Sequence, residues 1–221
     1  MGKDKLRRFA ELETFERVYQ PGNFYAGNNF ELKGKWGSEV FHNEHPIVLE
    51  LGCGRGEYTV NLAQKFPEKN FIGIDKKGAR LWRGAKTINE EKILNAAFMR
   101  IQITQLLAFF EKDEISEIWI TFPDPQPQKT RENTRMTSLR FLEMYETVLG
   151  TNGVLHLKTD NVILFDYTLE LIKDLDVTIH TNTHDLYGSG MTDDILSIKT
   201  TYEKKYLDQG LSICYVSLSF K

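Results

Sequence analysis

The residues of this chain that could do chemistry are mostly carboxylates set among glycines. Ile47-Val48-Leu49-Glu50-Leu51-Gly52-Cys53-Gly54-Arg55-Gly56-Glu57 is an apolar run that ends in a carboxylate and then in three glycines at alternate positions. It reads as a buried parallel strand running into a tight turn that opens a helix. Glycine suits the turn because a ligand must approach bare backbone where a Cβ would block it. Such a turn hosts either a dinucleotide or S-adenosylmethionine. The dinucleotide fingerprint places its third glycine one position later, where Glu57 stands. A pyrophosphate gains nothing from Glu50 and Glu57, whereas the sulfonium and α-amino group of S-adenosylmethionine are cations that carboxylates attract. Glu50, Gly52, Gly54 and Gly56 are therefore candidate cofactor-binding residues. The plainer reading is a tight turn without a ligand.

Asp75 closes the next apolar run. In an open α/β sheet an acid there accepts the ribose hydroxyls of an adenosine; otherwise it is a solvated strand-end acid or a helix cap. Thr121-Phe122-Pro123-Asp124-Pro125-Gln126-Pro127-Gln128-Lys129 follows a later strand directly. Flanking prolines are expected to hold Asp124 in a stiff, extended backbone, which suits a side chain that must hold a planar base beside a methyl donor. Two basic clusters leave the same sheet edge: Lys76, Lys77, Arg80, Arg83 and Lys86, then Lys129, Arg131, Arg135 and Arg140. Together they read as a phosphate-binding rim, or as solvated helix faces. Asp160-Asn161 ends another strand and can cap the next helix or meet substrate. Thr200-Thr201-Tyr202-Glu203 has the pattern of a capping box.

The elements that must position these residues alternate. Strands are expected at Ile47–Leu51, Asn70–Asp75, Ala97–Ile101, Glu117–Thr121, Val154–Lys158, Val177–Thr181 and Ile213–Phe220. Helices are expected at Glu57–Phe66, Gly78–Glu91, Gln105–Phe110, Ser138–Leu149, Val162–Leu175 and Tyr202–Leu207. Gly150 and Gly153 are read as closing the helix before them, and His184–Lys199 as a polar insertion. Strict alternation means βαβ units, a parallel sheet and right-handed crossovers. Residues 1–46 carry Gly22, Gly27, Gly34 and Gly37, several aromatics and a short helical stretch near Leu6–Leu12. They read as an arm preceding a catalytic domain at 47–221.

Composition narrows the class. With 221 residues, 41% hydrophobic and 27% charged, the chain is ample for one core and short for two full domains. No apolar run approaches the roughly 20 residues of a membrane span. The charged start, Met1 to Arg8, lacks the apolar stretch of a signal peptide, so the cytosol is the expected compartment. Cys53 and Cys214 make neither a disulfide framework nor a zinc set, and no metal is expected. The net charge of −3 decides nothing about nucleic acid, for which a local basic surface is what counts.

Taken together, the pieces resemble one family, the bacterial tRNA guanine-N7 methyltransferases. The resemblance rests on Glu50 to Gly56, Gly73-Ile74-Asp75, Phe122-Pro123-Asp124-Pro125, Leu157-Lys158-Thr159-Asp160-Asn161, and Thr200-Thr201-Tyr202-Glu203 with Lys204 and Lys205. It runs from about Phe9 to the end. It implies a Rossmann-like α/β fold: a seven-stranded, mostly parallel sheet with an antiparallel last strand and helices on both faces. It implies methyl transfer from S-adenosylmethionine to N7 of a guanine in the tRNA variable loop, guanine-46. Glu50, Asp75 and Asp124 would bind the cofactor, Asp124 would also be catalytic, and Asp160, Thr200 and Glu203 would meet the substrate. The chain departs from the family at Gln126, usually Trp, and at Gln128, usually Lys, with Lys129 one place on. Gln102 stands where the family often has an acid for the adenine amino group, and its amide oxygen still accepts. Gln128, Lys129 and Arg131 complete the candidate substrate contacts, with the chain acting as monomer or homodimer. The alternatives are a small-molecule methyltransferase, a non-catalytic RNA-binding module of the same fold and, more distantly, a nicotinamide-dependent reductase, against which Glu57 stands.

Overall fold

A computed structural model describes residues 3–22, 29–191 and 195–221. Gly27 and the centre of the polar insertion, 192–194, lie outside the described residues. Strands β2 (Ile47–Leu51) and β3 (Asn70–Ile74) are buried at every position, as strands covered by helices on both faces must be. Their side chains alternate between two cores. Leu49, Leu51, Ile72 and Ile74 face one that also holds Trp36, Phe109 and Tyr145; Val48 and Phe71 face another with Tyr58, Trp82, Phe98 and Trp119.

The remaining elements are β1 (Val18–Tyr19), β4 (Ala96–Met99), β5 (Ile115–Thr121), β6 (Leu149–Thr159), β7 (Val177–Thr183) and β8 (Cys214–Phe220). The helices are α1 (Lys3–Leu12), α2 (Glu57–Lys65), α3 (Gly78–Glu90), α4 (Leu106–Phe109), α5 (Leu139–Val148), α6 (Val162–Ile172) and α7 (Thr201–Asp208). The sheet order is β1-β4-β3-β2-β5-β6-β8-β7. Pairings are parallel as far as β6, and β8 runs antiparallel to both β6 and β7. The expected antiparallel last strand is there; the count is eight rather than seven. The additional strand is β1, two residues that pair with Phe98 and Met99 at the sheet edge, too short to leave a periodic pattern in sequence.

The described residues that precede β2 are built onto this unit. Trp36 is fully buried, donates its indole N–H to the Phe109 carbonyl at 3.0 Å and stacks on Phe110. Glu11 on α1 accepts the Trp82 indole N–H at 2.7 Å, and Arg7 and Arg8 lie over the same ring. One expectation fails. Gly150 and Gly153 do not close α5, which stops at Val148; both lie inside β6. The left-handed residue there is Asn152, at φ 66°, and a Cβ on Gly153 would lie 2.8 Å from the Gly150 carbonyl. These are strand glycines permitting a close backbone approach.

The chain proceeds from β2 outward through β3 and β4, then returns to β5 on the other side of β2. Strand order therefore reverses between β2 and β5. In open α/β sheets the crevice beyond the carboxyl ends at such a reversal is where ligands bind.

Candidate active site

The glycine turn leaves the carboxyl end of β2 inside that crevice. Its first two N–H groups, of Gly52 and Cys53, both donate to the Ile74 carbonyl at the end of β3, at 2.8 and 3.0 Å. Gly52, Gly54 and Gly56 are all left-handed, yet they do different work. A Cβ on Gly56 would lie 2.5 Å from the Phe98 ring and 3.3 Å from Gly84 Cα. Gly56, expected at the cofactor, is thus a packing glycine that lets α3 approach the turn. A Cβ on Gly54 would meet nothing nearer than 3.9 Å, so the turn is open at Gly54 and closed at Gly56. Burial pushes the Cys53 thiol well up, which leaves it a packing side chain within the turn.

Asp75 is only 8% exposed. Its carboxylate accepts the Gly54 N–H at 3.0 Å and the Lys77 N–H at 2.7 Å, tying the turn to the start of α3. A carboxylate has acceptor capacity beyond two such bonds. Glu50 is buried at the root of the turn. It accepts the Thr59 N–H at 2.9 Å, the Thr59 hydroxyl at 2.5 Å and the Thr121 hydroxyl at 3.0 Å. Burial first, with a smaller contribution from the Asp75 charge, nonetheless raises its pKa to about 7 against those hydrogen bonds.

Two adjoining cavities open at this edge. One, of about 300 Å³, is lined by Glu50, Gly54, Glu57, Thr121, Thr200 and Tyr206, among others. The second, of about 340 Å³, is lined by Asp75, Gln102, Ile103, Gln126, Met136 and Phe141, among others. Gly52, Lys77, Arg80 and Asp124 border both. The first is the more polar, the second the more apolar, which suits a charged end and a ring system of one elongated ligand. A larger opening of about 880 Å³, around His42 to Ile47 and Glu114 to Ser116, lies at the other end of the strands. It touches neither the turn nor Asp75 nor Asp124, so the smaller pair is the candidate site.

Asp124 sits where the two cavities meet, exposed, with its carboxylate accepting the Gln126 N–H at 3.2 Å. The prolines are assisted by two left-handed non-glycine residues, Phe122 at φ 50° and Gln126 at φ 44°. Such strain persists only where the surroundings hold it. One hold is Arg135, which donates from Nε to the Gln126 carbonyl at 3.2 Å while its guanidinium lies over the Tyr167 ring at 4.2 Å. Arg135 was expected in a phosphate rim; at 8% exposure it is instead a brace for the Asp124 loop. Lys86 likewise leaves the rim, lying over Trp82 and paired with Glu90. Lys76, Lys77, Arg80, Arg83, Lys129, Arg131 and Arg140 remain exposed along the edge. Gln102 is exposed at the lip of the second cavity. Gln128, Lys129 and Arg131 lie at a short 3-10 helix, Lys129–Thr134, and line neither cavity.

At the end of β6 the capping question resolves between neighbours. Asn161 caps α6 by accepting the Leu164 N–H at 2.8 Å. Asp160 is left half-buried, raised by burial and lowered by its own backbone N–H. Thr200 and Glu203 form a full capping box for α7. Glu203, expected at the substrate, is 0% exposed; it pairs with buried Lys158 at 2.8 Å and accepts the Tyr187 hydroxyl at 2.6 Å. Its place in this geometry is to fix the start of α7. Glu57 adds a clasp, accepting the Thr201 N–H and hydroxyl at 2.6 and 2.7 Å. The sequence reading missed Phe122, Tyr202 and Tyr206 as lining residues. The one available signal was Tyr202 and Tyr206 at i and i+4, which share a helix face.

A family model described as "Putative methyltransferase" matches residues 44–216. A tRNA (guanine-N(7)-)-methyltransferase of Christiangramia forsetii is 51% identical over 221 residues, covering 99% of both chains. The chain belongs to the tRNA (guanine-N7-)-methyltransferase family. The same-named protein of Bacteroides fragilis is 48% identical over 98% of this chain and 85% of its own length. Among solved structures, the 16S rRNA methyltransferase KamB superposes with a TM-score of 0.64 at 10% identity, over 91% of this chain and 97% of its own. At that identity the likeness is one of fold. No helix among the described residues is long and apolar enough to cross a membrane, and among them no cluster of His, Cys, Asp and Glu could hold a metal ion.

Proposed function

We propose that this chain transfers a methyl group from S-adenosylmethionine to N7 of guanine-46 in the variable loop of tRNA, in the cytoplasm. The observation that carries the reading is the pair of cavities meeting at Asp124, one polar and rooted on Glu50, the other more apolar and rooted on Asp75. The residues fit the cofactor: Gly54 offers bare backbone with open space, Glu50 and Glu57 are carboxylates for a cationic amino-acid end, and Asp75 keeps acceptor capacity for ribose hydroxyls. Gln102, at the second cavity, would take the adenine amino group through its amide oxygen. Residues 47–221 would carry this chemistry; of what precedes them, β1 extends the sheet and α1 packs on α3.

When bound, S-adenosylmethionine supplies a methyl group already activated by the sulfonium. Guanine N7 is a hydrogen-bond acceptor with no proton, so this chain needs no general base. What remains for its residues is alignment and charge. Asp124, on its braced loop, and Asp160 would accept from the guanine N1–H and exocyclic amine. Both carboxylates would offset the positive charge that grows on an alkylated purine. Lys76, Lys77, Arg80, Lys129 and Arg131 would hold the RNA phosphates. The test is to incubate unmodified tRNA with labelled S-adenosylmethionine and map the product. N7-methylguanine at position 46 is expected; label that appears only in small metabolites, or at a different atom, would overturn the reading.

A further inference from the structure

The Phe122, Tyr202 and Tyr206 rings carry none of the cofactor contacts assigned above. All three line the cavity rooted on Glu50. Phe122 is turned there by its left-handed backbone, and its N–H donates to the Lys158 carbonyl at 2.8 Å. Its ring lies 5.7 Å from that of Tyr206, tilted by 35°. Tyr202, on the same face of α7, is 46% exposed. An exposed tyrosine on a helix is ordinary; three aromatic side chains lining one polar cavity together with Asp124 are not.

The ring wall is held in place. The start of α7 is fixed by the Glu57 clasp, the capping box and the buried Lys158–Glu203 pair. Asp160 is close enough that its charge, with that of Tyr202, adds to burial in raising the Tyr206 phenol. Asp124 lines the same cavity. A base modified by an enzyme of this kind has to leave its stack to reach the site, and enzymes that take a base out read its edge with polar groups while its faces lie against aromatic or apolar side chains. On the reading above, Asp124, which lines this cavity, and Asp160, whose charge reaches Tyr206, would supply carboxylates for the edge. Faces have to be supplied by something else.

We propose that Tyr206, with Phe122 beside it, is the platform on which the target guanine stacks, so that α7 forms the wall of the substrate base site. This rests on the functional reading above. Loss of base–aromatic stacking weakens binding by roughly 5- to 100-fold. The experiment uses the full chain and an unmodified tRNA transcript, and compares wild type with Tyr206→Ala, Tyr206→Leu and Tyr206→Phe. Methyl transfer under single-turnover conditions at subsaturating tRNA is read beside calorimetric binding of S-adenosylmethionine. A second transcript carries 2-aminopurine at the target position, whose fluorescence reports stacking.

Tyr206→Ala and Tyr206→Leu are expected to slow transfer roughly 5- to 100-fold and to leave the bound 2-aminopurine brighter than wild type does. Tyr206→Phe should match wild type in both, and cofactor affinity should stay within about twofold in all three. Rescue by Leu would mean that bulk rather than a π face is needed, and would overturn the proposal. So would an unchanged rate in Tyr206→Ala, or a loss of cofactor affinity in step with the rate. Failure of the wild type to methylate tRNA would overturn the functional reading itself, a different result from an active wild type with an indifferent Tyr206.

Discussion

Glu50 shows how a single residue can be strained electrostatically while fully hydrogen-bonded. Three donors serve its carboxylate, yet burial dominates and places its pKa near 7 in the folded chain. The unfolded value is that of an ordinary glutamate, about 4.3. Between those two values the folded state binds more protons than the unfolded one, so stability falls as pH rises from about 4.5 through 7 and levels off above. The scale is about 4 kcal/mol at most, from 1.36 kcal/mol per unit. Glu50→Gln keeps shape and can still accept from Thr59, and it should remove that slope. Urea unfolding of the cofactor-free protein at about pH 5 and pH 8 checks it; parallel losses in wild type and variant would rule it out. Asp124 is the converse case, exposed and placed by its loop. Asp124→Asn should keep fold and most tRNA affinity but lower the single-turnover rate roughly 10²-fold, the scale for one preorganised electrostatic partner. Because N7 carries no proton, the wild-type rate at saturating cofactor should be nearly flat from about pH 6.5 to 8.5. A rise with unit slope would mean a base is being titrated.

At the scale of elements, the site depends on loops and helix ends that β2, β5 and β6 deliver to one edge and other residues then hold. The Asp124 loop is held by Arg135, whose own place is set against Tyr167 on α6. Arg135→Met keeps much of the bulk and loses the donor. A hydrogen bond from a charged group contributes about 1.5–3 kcal/mol, so the rate should fall by about tenfold or more. Arg135→Lys should recover only part of it, because an ammonium lacks the planar contact. A lower melting temperature with an unchanged rate would make Arg135 a structural residue only. This is also where sequence reading stopped. The strand–helix alternation, the glycine turn and the edge positions of Asp75, Asp124 and Asp160 follow from periodicity and turn chemistry, which are local. Arg135 in a run of cations reads as solvated, because nothing local announces Tyr167. Glu203 reads equally as a cap or a substrate contact, and only Lys158, arriving from β6, decides that it turns inward. The two residues of β1 form a strand only because β4 offers an edge.

At the scale of the whole molecule, a chain with net charge −3 has to attract a polyanion. The structure answers by distribution. Lys76, Lys77, Arg80, Arg83, Lys129, Arg131 and Arg140 are exposed near the carboxyl ends of the strands, and Lys76, Lys77, Arg80 and Arg140 also line the cavities. Glu117, by contrast, is paired with Lys69 on the flank of the sheet and does not oppose this edge. Such a rim acts on phosphates through counterion release, so tRNA affinity should fall steeply with salt. Replacing Lys129 and Arg131 together by Gln should reduce the slope of log K against log salt by about one to two units. Both lie outside the cavity linings, so S-adenosylmethionine affinity should not move. Filter binding of tRNA across a salt series, with calorimetry of the cofactor at one salt, separates the two effects. An unchanged slope in the double variant would place the phosphates on α3 rather than on the 3-10 helix. A tRNA affinity indifferent to salt in the wild type would remove the rim altogether.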